Sequence, residues 1–284
     1  MTPRERLADK IAALNYSRGF VDNFDSFLDF ALFPFLANPE QHERENFAAH
    51  QQDEKYLEAL QLLGELSEGY RDALGDIFMD RISHGANGQF FTPETICEFM
   101  AKITDVDGCS VCDPCCGSGR MLLAGMKNSR EEHHIDPYVY GGDLDHRAVR
   151  MALLNVCLNS AYGDMEWINT LLLEVYKTYH IDRVLINGRW MSQVWQYDKE
   201  TDMNALNRER EQQRIELLKY GILYERRIDA PQSTNDIEVS NLPPKEEKPL
   251  KSQETAPQTQ PAKEQPLQPI PQPKREPIQL SLFD

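Results

Sequence analysis

No uninterrupted apolar run in the 284 residues is long enough to cross a bilayer, and Met1-Thr2-Pro3-Arg4-Glu5-Arg6 is not a charged-then-apolar leader. Nothing therefore directs export or membrane insertion, and the cytoplasm is the expected compartment. Positive charge is scarce: 30 Lys and Arg stand against 46 Asp and Glu, a net charge of -16. That balance argues against a generic, charge-driven nucleic-acid binder, because phosphate neutralisation needs clustered Lys and Arg. A local basic face or another subunit can still supply a grip on nucleic acid. The six cysteines include the cluster Cys112, Cys115 and Cys116, which suits a reducing compartment better than a disulfide framework. Cys112 and Cys115 have the spacing of half a metal site, but no second Cys or His pair follows at a suitable distance, so no metal is expected. His133 and His134 are adjacent and point to different faces of any regular element, which leaves them without a shared ligand.

A hydrophobic content of 40% fits a globular protein with one substantial domain and a smaller element. Residues 1–87 read as helical. Arg4 to Leu14 is a short amphipathic segment, and Phe20 to Leu36 carries Phe and Leu at helical spacing. Asn46 to Ile82 carries Leu57, Leu60, Leu63, Leu66, Tyr70, Leu74 and Phe78. Residues 88–198 read as an α/β domain, 199–229 as a trailing helix with Leu206, Ile215, Leu218 and Ile222, and 230–284 as a tail of Pro, Gln, Lys, Glu, Ser and Thr. Such a tail buries too little apolar surface to offset ordering, so a disordered linker is expected.

Within the α/β domain the chain is organised around Asp113-Pro114-Cys115-Cys116-Gly117-Ser118-Gly119. The stretch follows the apolar Ser110-Val111-Cys112 and precedes Met121-Leu122-Leu123-Ala124, the pattern of a strand, a turn and a helix. Gly117 and Gly119 let backbone pass close to a bound molecule, and free amides at the helix start attract an anionic or polar group. A dinucleotide fingerprint needs a third glycine where Leu122 stands, so a nicotinamide site is not expected. Tyr138 to Asp145 reads as a second strand ending in acid. Asp143 lies 24 positions past Gly119 (143 − 119), near the spacing at which a carboxylate accepts ribose hydroxyls. Asp145 is the alternate, or the cap of a helix starting near His146. Trp167 to Leu171 reads as a third strand, and Ile181 to Trp190 as a fourth running out into a loop.

Two motifs in order, Gly88-Gln89-Phe90-Phe91-Thr92-Pro93 and then Asp113 to Gly119, resemble the S-adenosylmethionine site of adenine-specific DNA methyltransferases. The likeness is strongest to modification subunits of type I restriction systems and their plasmid and phage relatives. It implies an open, mostly parallel methyltransferase sheet, abbreviated here because few strand signals follow Trp190. It implies S-adenosyl-L-methionine as cofactor, contacted by Phe90, Phe91, Thr92, Asp113, Cys116, Gly117, Gly119, Asp143 and Asn169. The aromatic walls suit its sulfonium cation. It further implies DNA as partner, with a specificity or restriction subunit.

Where this family carries Asn-Pro-Pro followed by Tyr or Phe, the chain has Asn187-Gly188-Arg189-Trp190. The resemblance makes Asn187 the acceptor of the adenine amine's hydrogens and Trp190 the ring that stacks on the extruded base. Loss of both prolines loosens that loop. The expected activity is methylation of the exocyclic amine of adenine in DNA. The alternative is a catalytically silent binding protein of mobile-element origin. At the end of the chain, Gln279-Leu280-Ser281-Leu282-Phe283-Asp284 resembles the peptide by which bacterial proteins dock on the polymerase sliding clamp, with Gln279, Leu280, Leu282 and Phe283 as anchors.

Overall fold

A computed structural model describes residues 1–84, 90–104, 110–168, 174–220 and 222–225. Helices form first. In α1 (Pro3–Ala12) Pro3 presets the first turn, and Thr2 and Glu5 make a reciprocal capping box. α2 (Phe20–Leu32) buries Phe24, Phe27, Leu28 and Phe30. The long segment Asn46–Ile82 is not one helix. It divides into the end of α3 (Gln41–His50), α4 (Glu54–Ser67) and the short α5 (Gly75–Phe78). Asp53 starts α4 by accepting a hydrogen bond from the Lys55 amide at 3.0 Å, and Gly69 and Tyr70 adopt φ of 77° and 66° just past its end. A polar cap and a left-handed pair override an apolar stripe that continues in sequence.

After α6 (Glu94–Thr104), strands and helices alternate: β1 (Ser110–Asp113), α7 (Arg120–Asn128), β2 (Tyr138–Asp143), α8 (His146–Leu158) and β3 (Tyr162–Ile168). β1, β2 and β3 pair in parallel, with Ser110, Tyr138 and Tyr162 level at their starts. β4 (Val175–Ile186) and β5 (Arg189–Asp198) follow, then α9 (Met203–Lys219) and β6 (Leu223–Glu225). The sheet runs β1-β2-β3-β4-β5, and β6 pairs with the part of β4 that extends past the start of β3.

The expected open α/β sheet is thus present, with its parallel portion confined to β1–β3. A parallel crossover takes a dozen or more residues. Only residues 169–174 separate β3 from β4, and only Asn187 and Gly188 separate β4 from β5, so these strands pair antiparallel.

One core joins the helices to the sheet. Residues Ala148 to Cys157 of α8 are all buried, between β2 and β3 on one side and α2 and α4 on the other. The stripes of α1, α2 and α4 are absorbed in this same core. Arg147 grips Asp25 with two hydrogen bonds of 2.7 Å, and Arg150 pairs with Asp29.

Candidate functional site

The three parallel strands deliver Asp113, Asp143 and Trp167 to their C-terminal ends, with Asp143 level with Trp167. The turn after β1 is held there from both sides. From β2, the Gly142 carbonyl accepts the Cys116 amide at 2.9 Å, and Asp143 Oδ2 accepts the Gly117 amide at 2.8 Å. Gly117 has φ 53°, and a Cβ on it would lie 2.6 Å from the Phe91 ring. Gly119, at φ 87°, precedes α7 without any side-chain cap, so the first amides of α7 stay available to a ligand.

The two phenylalanines have different placements. Phe91 packs against Gly117 and stacks on Phe78 with 5.7 Å between ring centroids. Phe90 is 77% exposed. Thr92 is exposed, and its carbonyl accepts from Arg120 at 3.4 Å. Asp113 is half-buried and accepts from the Cys115 amide at 3.1 Å. Burial raises its carboxyl pKa, and the nearby Asp143 adds to the rise. Burial also holds the Cys116 thiol well above its ordinary value, so Cys116 fills space rather than reacts. Asp145 caps α8 through the amides of Arg147 and Ala148, at 2.8 and 3.3 Å.

Beneath the turn lies a carboxylate that the motifs do not mark. Asp72 is fully buried. Its Oδ2 accepts from Ser118 Oγ and Arg120 Nε, both at 2.6 Å. Its Oδ1 accepts from Asn155 Nδ2 at 3.0 Å and from the Gly75 amide at 2.8 Å. Asn155 also donates to the Ser118 carbonyl at 2.9 Å, and Arg120 reaches Asp76 as well. The turn therefore rests on a buried ion pair whose acid comes from the N-terminal helical region.

Trp167 forms an aromatic wall beside Asp143. It stacks on His146 at 4.2 Å, contacts Tyr176 at 4.5 Å, and donates its indole N–H to the Leu144 carbonyl. Burial pushes the His146 pKa down to about 4, helped by Arg150 and Lys177, so its ring is neutral near pH 7. These residues border a cavity of about 340 Å³ that also reaches Asp29, Glu43 and Lys177. Trp167 stands one residue before the end of β3, level with the acid of the second strand.

The catalytic pair expected from sequence is not brought to this edge. Asn187 and Gly188, at φ 50° and 75°, form the two-residue turn between β4 and β5, with Ile186 paired to Arg189. Lys177 lies level with Trp167, whereas Ile181 is already level with Gly163 at the start of β3. At about 3.3 Å per residue, Asn187 stands roughly 33 Å along β4 from the level of Asp143. Trp190 shares that end: its carbonyl accepts from Ser160 Oγ at 2.7 Å, and the Arg183 guanidinium lies 5.0 Å from its ring centre. Physically, Asn-Gly is the strongest hairpin signal, because both residues tolerate the positive φ of a mirror-image turn. Gly88, Gln89, Asn169, Gln279, Leu280, Leu282 and Phe283 lie outside the described residues.

A parallel α/β edge with a glycine turn, an uncapped helix start and an acid ending the second strand is the kind of crevice at which open α/β sheets bind nucleotides. The family model for N-6 DNA Methylase matches residues 70–216, more than half of the sequence, and the chain belongs to that family. It is 29% identical over 110 residues to the type I restriction enzyme MjaIX methylase subunit of Methanocaldococcus jannaschii, covering 38% of this chain and 20% of that one. It is 28% identical over 162 residues to the type I restriction enzyme MpnII methylase subunit of Mycoplasma pneumoniae, covering 50% and 30%. It is 26% identical over 150 residues to the type II methyltransferase M.VspI of a Vibrio species, covering 49% and 35%. The chain thus spans about a fifth to a third of the length of these relatives. Among the described residues no helix is long and apolar enough to cross a membrane.

Proposed function

We propose that the chain is an S-adenosyl-L-methionine-dependent methyltransferase acting on the exocyclic amine of adenine in DNA. The observation that carries this reading is the bond from the Gly117 amide to Asp143 Oδ2, which ties the glycine turn to the acid of the second strand. Both Asp143 oxygens accept backbone amides, Gly117 on one and Asp145 on the other, and each keeps a lone pair for a ribose hydroxyl. The uncapped start of α7 and the carboxylate of Asp113 offer an amide donor set and an acceptor to a zwitterionic amino-acid group. Phe90, exposed beside the turn, is the aromatic surface left for a sulfonium. That group supplies an activated methyl. The protein's part is to hold it in line with the incoming amine and to keep water away. A specificity or restriction subunit is the partner that this reading assigns for choosing the DNA sequence, and Gln279, Leu280, Leu282 and Phe283 dock on the sliding clamp.

A second reading, cofactor binding without transfer, draws on the placement of Asn187 and Trp190 at the opposite end of the sheet. One experiment separates the two. Purified protein is titrated with S-adenosylhomocysteine by calorimetry and incubated with methyl-labelled cofactor and duplex DNA of mixed sequence, with and without a specificity subunit. Label in N6-methyladenine establishes the enzyme. Saturable binding with no label under either condition establishes the silent protein, and absence of binding defeats both. Deleting Gln279 to Asp284 abolishes clamp capture and leaves the calorimetric affinity unchanged if the docking assignment is right.

A further inference from the structure

We propose that the protein self-associates through the outer face of α6, forming a twofold dimer. α6 packs on α7 through Cys97 and Ala101, its two buried residues. Its large apolar side chains point elsewhere: Ile96, Phe99, Met100 and Ile103 are 47, 61, 43 and 66% exposed. The spacing i, i+3, i+4, i+7 places these four on one face, so α6 turns its small residues inward and its main apolar stripe to solvent.

The size of the stripe matches what a dimer contact needs. At about 200 Å² for a large apolar residue, the four expose roughly 430 Å², within the range of the largest patch on an ordinary monomer and often functional. An interface of standard size takes about 800 Å² from each partner, a little over half of it apolar, or roughly 450 Å².

The chemistry of the stripe selects a second copy as its occupant. Reversed end to end, the stripe superposes on itself, isoleucine on isoleucine and phenylalanine on methionine, so a twofold axis between Phe99 and Met100 matches it to its own image. No charged side chain interrupts it. Beside it stand the exposed Lys102 and then Glu98, which is paired with Lys127 at 2.7 Å, while Glu94, on the packed side of α6, is paired with Arg4 at 3.1 Å. Two chains that each carry a net charge of -16 can therefore meet here without opposing unpaired carboxylates at the contact.

The test uses the full chain. Sedimentation equilibrium across a concentration series is expected to give a monomer–dimer equilibrium, and Phe99→Glu is expected to weaken it at least tenfold. Ile103→Lys, near the last turn of α6, is a second and milder probe should Phe99→Glu misfold; circular dichroism monitors both. Hydrogen exchange of α6 is expected to slow as protein concentration rises. A wild-type chain that stays monomeric overturns the proposal, as does a dimer indifferent to both substitutions. Concentration-independent protection of α6 also overturns it, since the stripe is then covered by the chain's own remaining residues.

Discussion

Replacing Asp72 by Asn tests whether the glycine turn rests on the buried acid beneath it. The substitution keeps the size of the side chain but removes its charge and turns one acceptor oxygen into a donor. All five groups facing Asp72 are donors: Ser118 Oγ, Arg120 Nε, Asn155 Nδ2 and the amides of Leu74 and Gly75. The new NH2 must therefore oppose one of them. Arg120 is 8% exposed and keeps only the half-exposed Asp76 as counter-charge. Breaking one side of a buried pair costs about 3 to 5 kcal/mol, and the surviving Asp76 contact puts the expected loss near 3 kcal/mol. In a chain of this size that is a fall in Tm of about 6 to 12 °C. Urea unfolding gives the stability, and S-adenosylhomocysteine calorimetry gives a binding loss of at least tenfold, because Ser118 and Arg120 sit in and just after the turn. Asp76→Asn is the comparison, with a smaller effect expected. A stability loss under about 1 kcal/mol together with unchanged affinity would refute the assignment of Asp72 as the support of the turn.

Gly117→Ala is expected to lower cofactor affinity strongly and stability by about 1 to 3 kcal/mol, since φ is 53° and the new Cβ would meet the Phe91 ring at 2.6 Å. Calorimetry that finds wild-type affinity removes the turn from the site. For His180, burial alone lowers the pKa, but hydrogen bonds to Asp164 at 2.6 Å and Asp182 at 3.0 Å outweigh it and raise the net value. A raised folded-state pKa gives stability that is complete below the unfolded value of about 6.5 and lost as pH rises through the folded one. Melting temperatures taken upward from pH 5.5 should show that loss in the wild type and not in His180→Gln; parallel profiles would contradict it. Asn187→Ala is expected to destabilise by roughly 1 kcal/mol, from a left-handed turn position, while leaving cofactor affinity and any methyl transfer intact. Loss of transfer at unchanged stability would return Asn187 to the chemistry.

What the sequence made legible was local. Gly117 and Gly119 punctuate an apolar run and a helix within a few residues, so the strand, turn and helix could be read without knowing their neighbours. Asp72 carried no such mark, because two of its partners, Ser118 and Arg120, lie 46 and 48 residues away and only folding collects them. The breaks inside Asn46–Ile82 were hidden for the opposite reason: apolar periodicity continues through Gly69 and Tyr70, where the backbone turns left-handed.

Asn187 shows two local signals in competition. Its position after a buried strand resembles a catalytic asparagine, but with glycine in place of the first proline the same dipeptide is a hairpin turn, and β5 pairs back along β4 for ten residue pairs, from Ile186–Arg189 to Lys177–Asp198. That ladder carries the turn to the end of the sheet where the parallel strands begin. On the proposed function, an acceptor for the adenine amine must instead stand at the edge bearing Asp113, Asp143 and Trp167, because transfer requires the amine in line with the methyl group. A labelled-methyl assay with and without added subunits tells whether that acceptor belongs to this chain or to a second polypeptide.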